Sequence, residues 1–164
     1  MNYKSKIYKE LDASYLEIIK EWQKSNKKIV FTNGCFDLLH SGHIAYLNEA
    51  AGLGDKLVVG LNSDLSVRNI KGETRPIKTQ QCRADILAFM SVVDLVVIFD
   101  EDTPFGLIEK IVPDVLVKGG DWKPEQIVGS DIVLKNGGKV KSLSYIKGYS
   151  SSKIIEKISK AQIK

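Results

Sequence analysis

The stretch FTNGCFDLLHSGH, from Phe31 to His43, constrains this chain more than any other. Lys28-Ile29-Val30-Phe31 reads as a strand entering a buried sheet, and it breaks at Asn33-Gly34. From Ser41 onward SGHIAYLNEA reads as a helix, with Ile44, Leu47 and Ala51 recurring at helical spacing. The motif therefore lies on a strand-to-helix junction. The first turn of a helix presents unpaired N–H groups and the positive end of the macrodipole, which together favour a phosphate. His40 and His43 are the only histidines in the chain. At i, i+3 they can face one side, and Gly42 between them leaves room for close backbone approach. Two imidazoles donate hydrogen bonds to a phosphoryl group without a permanent strong charge.

Other readings of the same residues exist. A histidine near a helix start is often a cap or a packed ring. His40, His43, Cys35 and Asp37 are all metal-ligand types, but Cys-x-Asp-x-x-His-x-x-His is not a usual zinc spacing. A dinucleotide fold of the common kind is disfavoured, because no Gly-x-Gly-x-x-Gly follows the first strand.

Beyond the motif, short apolar runs alternate with helical patterns. Strands are expected at Lys28 to Phe31, Asp55 to Gly60, Asp94 to Phe99, Asp114 to Val117 and Lys139 to Leu143. An amphipathic helix is expected over Ala13 to Lys24, with Leu16, Ile19 and Trp22 as its stripe. Ile70 to Lys78 reads as a loop, and Thr79 as the cap of a helix to about Met90. Thr103-Pro104 reads as an N-cap and N1 pair. Ser150 or Ser151 reads as the cap of the last helix. This alternation argues an α/β fold: a Rossmann-like three-layer sandwich around a mostly parallel five-stranded sheet. Ligands bind such sheets at the C-terminal ends of the strands, and every candidate motif falls there or at a helix start. One domain is expected over 1–164, with a helical extension at 1–27.

GCFDLLHSGH resembles the His-x-Gly-His signature of the cytidylyltransferase-like nucleotidyltransferases. These enzymes transfer a nucleotidyl group from a nucleoside triphosphate to a phosphorylated acceptor and release pyrophosphate. NIKGETRPI, VKGGDW and GYSSSKIIEKI match in the expected order and are similar to the branch that makes ADP-heptose from a heptose 1-phosphate. In many relatives this unit follows a sugar kinase domain, so the resemblance implies the free-standing form here.

The resemblance implies roles that suit the chemistry. The acceptor phosphate is already nucleophilic at neutral pH, so alignment and charge stabilisation are what the site must supply. His40 and His43 suit the α- and β-phosphates, and Lys71 the triphosphate or transition state. Gly34, Cys35, Phe36 and Asp37 would line the nucleotide. Gly120 and Asp121 would approach the base or ribose, and Tyr149, Ser150, Ser151 and Ser152 the distal phosphates. Arg75, Asp37 and Lys118 are the candidates for the acceptor. Arg83 is expected to act structurally. Lys71 and Arg75 also fit as solvated loop charges, Asp37 as a turn cap, and the serines as an ordinary cap. The family's frequent arginine before the last glycine is replaced by Ile146-Lys147. Mg²⁺ is the implied cofactor, held mainly by the nucleotide, with no direct protein ligand.

Of 164 residues, 43% are hydrophobic and 27% charged, with net charge +4, which suits a globular protein with an anionic substrate. No basic aromatic stripe points to nucleic acid, and no apolar run reaches membrane-spanning length. Cys35 and Cys82 make no disulfide framework, and the N-terminus lacks a signal-peptide core, so a cytoplasmic setting is expected. The expected partners are ATP and a sugar 1-phosphate, in a homodimer. Two alternatives remain: transfer from CTP to glycerol 3-phosphate or a related polyol phosphate, and a nucleotide-binding regulatory subunit without turnover.

Overall fold

The structure is a computed structural model and describes residues 2–144 and 151–161. A 3₁₀ turn, Tyr3–Lys6, leads into strand β1, Ile7–Lys9, and helix α1, Tyr15–Lys24. Strand β2, Ile29–Gly34, is followed by α2, Ser41–Ala51, then β3, Lys56–Asn62, and α3, Asp64–Lys71. Helix α4, Gln80–Phe89, precedes β4, Leu95–Phe99, and α5, Phe105–Ile111. The chain continues through β5, Val115–Gly119, a 3₁₀ turn at Pro124–Gln126, α6, Ser130–Lys135, β6, Lys139–Leu143, and α7, Ser151–Ala161.

All strand pairs are parallel, in the order β1-β4-β3-β2-β5-β6. The sheet thus has six strands where five are expected. The additional one is β1. Its three residues are too short for a periodic signal, and they sit among lysines that read as solvent-facing. Its register, Ile7 opposite Val96, is set by the partner strand. Buried Glu10 just beyond it accepts from Lys110 Nζ at 2.7 Å, joining this edge to α5. The segment before Ile29 is therefore part of the sheet as well as helical.

The side chains of β2 and β3 alternate between two cores, as a parallel sheet covered on both faces requires. Val30 and Val59 face α2 and α4, packing with Leu47, Ala50, Leu87 and Ala88. Phe31 and Val58 face α1, α5 and α6, packing with Tyr15, Ile19, Leu107, Ile108 and Val133. Two helix starts differ from each other in how they are made. Thr79 caps α4, its side chain accepting from Cys82 N–H, as the sequence predicts. At α5 the cap is Pro104 itself, and no side chain caps it, so Thr103-Pro104 is displaced by one residue from its expected place.

The sheet grows from β2 in two directions, through β3 and β4 on one side and β5 and β6 on the other. The crevice at the C-terminal ends of β2 and β5 is the place where such a sheet takes a ligand.

Candidate active site

At the end of β2 the chain turns sharply. Phe36 adopts φ 45°, a left-handed conformation uncommon outside glycine, and its ring lies 5.4 Å from that of His43. Gly34 lets the Phe36 ring pack close at this turn: a Cβ there would stand 3.0 Å from the ring and press it aside. His40 occupies the extended cap position of α2, and its carbonyl accepts from His43 N–H at 2.9 Å. The two imidazoles stack, 3.9 Å between centroids and 31° between planes, over the first turn of the helix. The shared side expected from the spacing is present.

Burial, then the nearby His40 and Lys71, push His43 down to about 4. Burial also lowers His40. His43 is thus a neutral donor near neutrality rather than a standing cation. Its Nδ1 is buried with no hydrogen-bond partner among the described residues. An NMR titration of the free protein should give His43 a midpoint near 4, far below the ordinary histidine value. A midpoint near 6.5 would contradict the desolvated setting.

A cavity of about 280 Å³ opens beside His43, which lines it, whereas His40 stands behind His43 and does not. Gly34, Cys35, Phe36 and Asp37 form one wall, with Tyr46, Asn33 and Asn62 below. Ile70 and Lys71 approach from α3, Lys118 and Gly119 from β5, and Ser151 from α7. Ile70 and Lys71 belong to the last turn of α3, so the loop begins at Gly72, whose φ of +93° ends the helix. Lys118 is largely enclosed, which lowers it below the ordinary lysine range, and its Nζ donates to Asn33 Oδ1 at 3.3 Å.

Asp37 is bound into the protein. Its side chain is 1% exposed and accepts Arg75 Nε at 2.7 Å and the N–H groups of Ile77 and Lys78. Burial alone would raise its carboxyl, but the N–H groups of Lys78 and Ile77, and then Arg75, outweigh it and hold it below the usual range. The contribution of this anchor is complete above the unfolded carboxyl value, about 4. It is lost as pH falls through the lower folded value. Asp37→Ala should speed amide exchange at Ile77 and Lys78 roughly 10- to 100-fold, from the ~1.5–3 kcal/mol of hydrogen bonds to a charged group. Unchanged exchange would show that the loop is held by something else. Arg75 spends its Nε on Asp37, and its second guanidinium nitrogen is buried without a partner among the described residues.

Arg83 is wholly buried. Its guanidinium donates to the carbonyls of Cys35, Asn62 and Lys78 and to the carboxylate of Asp64. One cation thus ties together the turn after β2, the end of β3 and the loop before α4, which is the structural part expected of it.

The remaining candidates are dispersed. Gly120 has φ +112° and donates to Leu143 O, while Asp121 is exposed, and the cavity wall takes Gly119 instead of either. Ser151 reaches the cavity, and its Oγ donates to Leu38 O at 2.9 Å. Tyr149 and Ser150 lie outside the described residues, as does the Ser152 side chain. Asn33, Tyr46 and Asn62 were not among the expected site residues. Asn33 and Asn62 are polar residues closing apolar strands, a visible signal, whereas Tyr46 looks like an ordinary core position of α2. Among the described residues no group of three His, Cys, Asp or Glu side chains is placed to hold a metal ion. No helix among them is long and apolar enough to cross a membrane.

Residues 31–157 match the family model described as cytidylyltransferase-like. The bifunctional protein HldE of Syntrophotalea carbinolica is 51% identical over 158 residues, covering 96% of this chain and 32% of that protein. The bifunctional protein HldE of Geotalea uraniireducens is 54% identical over 156 residues, covering 95% and 32%. The chain spans about a third of the length of these curated relatives. Among solved structures, the lipopolysaccharide core biosynthesis protein of Thermoplasma volcanium is 30% identical with a TM-score of 0.57, covering 76% of this chain and 99% of that one. Pantoate-β-alanine ligase of Francisella tularensis, 16% identical with a TM-score of 0.54 over 85% of this chain and 73% of its own, shares the fold.

Proposed function

The chain belongs to the cytidylyltransferase-like family, and from that premise we propose that it transfers AMP from ATP to D-glycero-β-D-manno-heptose 1-phosphate, giving ADP-heptose and pyrophosphate. The observation that carries this is His43, stacked on His40 at the start of α2 and lining a cavity that Lys71 and Lys118 also reach. The heptose acceptor is supported by the likeness to the HldE proteins and to the solved lipopolysaccharide core biosynthesis protein.

In the reaction an oxygen of the acceptor phosphate bonds to the α-phosphorus, and the bond from that phosphorus to the bridging oxygen breaks, so that pyrophosphate leaves. His43, neutral and desolvated, donates N–H to the charge that builds on the α-phosphate, where a fixed donor is most effective. His40 and the first-turn N–H groups of α2 act on the neighbouring phosphate. Lys71 meets the triphosphate from α3. Lys118 and Arg75 receive the acceptor phosphate, with Asp37 holding Arg75 in place. Ser151 and its neighbours at the start of α7 hold the distal phosphates.

Mg²⁺ is the proposed cofactor. Among the described residues Asp37 is the one carboxylate in the cavity wall, and its oxygens are taken by Arg75, Ile77 and Lys78. The ion would therefore ride on the triphosphate, neutralising it and the leaving pyrophosphate. The proposal includes a homodimer in a cytoplasmic setting, the latter supported by two cysteines that make no disulfide framework.

Pyrophosphate release should be measured for ATP and CTP against heptose 1-phosphate and glycerol 3-phosphate. ATP with the heptose is expected to be fastest. Faster turnover of CTP with glycerol 3-phosphate would overturn the substrate assignment, and no release with any pair would leave a binding subunit.

A further inference from the structure

Beyond Asn33 and Lys118 lies a second cavity of about 300 Å³. These two side chains line both cavities, so the wall between the two is the Lys118–Asn33 hydrogen bond. Thr103 and Pro104, ahead of α5, line one side, and Trp122 and Val128, after β5, line another. The fold thus holds two adjoining chambers at the switch between β2 and β5. The histidine-bearing helix start borders the first.

We propose that the second cavity seats the sugar of a sugar 1-phosphate acceptor, and that Trp122 and Val128 decide which acceptors fit. This rests on the nucleotidyltransferase reading above.

An in-line displacement needs the acceptor phosphate on the side of the α-phosphorus opposite the departing pyrophosphate. Lys118 is placed for that phosphate, because it borders the phosphate cavity and the adjoining one at once. A phosphate held there leaves the rest of the acceptor to extend into the second chamber. The lining matches a sugar, whose surface alternates C–H faces with hydroxyls. Ile127, Val128 and the Trp122 ring supply apolar area, and Thr103 and the Gln126 and Asn33 carboxamides supply hydrogen-bonding groups.

Trp122 is 48% exposed yet fixed. Its Nε1–H donates to Gly119 O at 3.1 Å and its backbone N–H donates to Ser142 Oγ at 3.1 Å. A large apolar ring held half in water is a ready platform for a ligand, and fixing it beforehand lowers the ordering cost of binding. Val128, 40% exposed, stands at the same cavity. A three-carbon polyol phosphate would leave much of this surface wet, whereas a seven-carbon sugar would cover it.

Steady-state kinetics with Val128→Trp test the assignment by filling the chamber. The KM for heptose 1-phosphate should rise about tenfold or more while the KM for ATP stays unchanged, with glycerol 3-phosphate least affected. A rise in the ATP KM instead would place the nucleoside in this cavity and overturn the proposal, as would no change in either. Trp22→Phe offers a reading without turnover, because Trp122 is then the sole tryptophan. Its emission should shift when heptose 1-phosphate is added to protein holding a non-hydrolysable ATP analogue. A shift with the analogue alone, or none with the acceptor, counts against it. If the unaltered protein turns over no sugar 1-phosphate, the reaction assignment fails and this inference falls with it. Normal turnover with an indifferent Val128→Trp variant sinks this inference alone.

Discussion

His43→Ala should leave a folded protein whose turnover has fallen by about 10²-fold or more, the loss seen when one fixed donor to a developing oxyanion is removed. The size of the effect follows from the setting. His43 is desolvated beside His40, and its charged form is disfavoured down to about 4. A donor of this kind is already oriented before the reaction and does not have to shed water. The ring borders a cavity rather than filling a core, so the thermal midpoint should move little. The KM for ATP should change less than kcat, because the contact strengthens as charge builds on the α-phosphate. Turnover near that of the unaltered protein would remove His43 from the chemistry. Stoichiometric zinc, with unfolding on chelation, would return the histidines to the metal reading.

The largest loss of stability is expected from Arg83→Ala. The guanidinium is fully buried and serves three carbonyls and the Asp64 carboxylate. Removing one partner of a buried ion pair costs about 3–5 kcal/mol, since the groups left behind remain desolvated. At roughly 2–4 °C per kcal/mol for a chain of this size, the midpoint should drop by about 10 °C. Activity should fall too, because the turn that carries Cys35 and the loop that carries Arg75 share this anchor. Arg83→Lys should recover only part of the loss, as an ammonium cannot span acceptors arranged for a planar fork. A urea melt showing less than about 1 kcal/mol of destabilisation would contradict the hub role.

The two elements that carry the site were legible for a plain reason. Strand β2 and helix α2 differ in hydrophobic period, and the change of period falls inside the histidine motif. The helix-capping role of Thr79 was legible because the mechanism is local. What escaped was decided at long range. Strand β1 exists because β4 offers it a register, and three residues carry no pattern of their own. Asp37 lines the cavity as expected of a site residue, but its partners are set by the fold. Its acid group is consumed by residues about forty positions later, a pairing that only the fold makes. The Gly120-Asp121 expectation rested on glycines following a strand. The chain turns toward Leu143 at that point, leaving Gly119 and Lys118 at the cavity. Lys118 shows the same limit from the other side. The resemblance made it a candidate for the acceptor, but its position between two chambers comes from Asn33 and from the loop ahead of α5.

The central claim is that the bond broken lies between the α- and β-phosphates of the nucleotide. Following labelled ATP through a single turnover with heptose 1-phosphate tests it most directly. Label at the α-phosphorus should appear in the sugar nucleotide, and label at the γ-phosphorus should leave in pyrophosphate. Label from the γ-phosphorus on the sugar would mean phosphoryl transfer in place of nucleotidyl transfer, and would contradict the role given to His40 and His43.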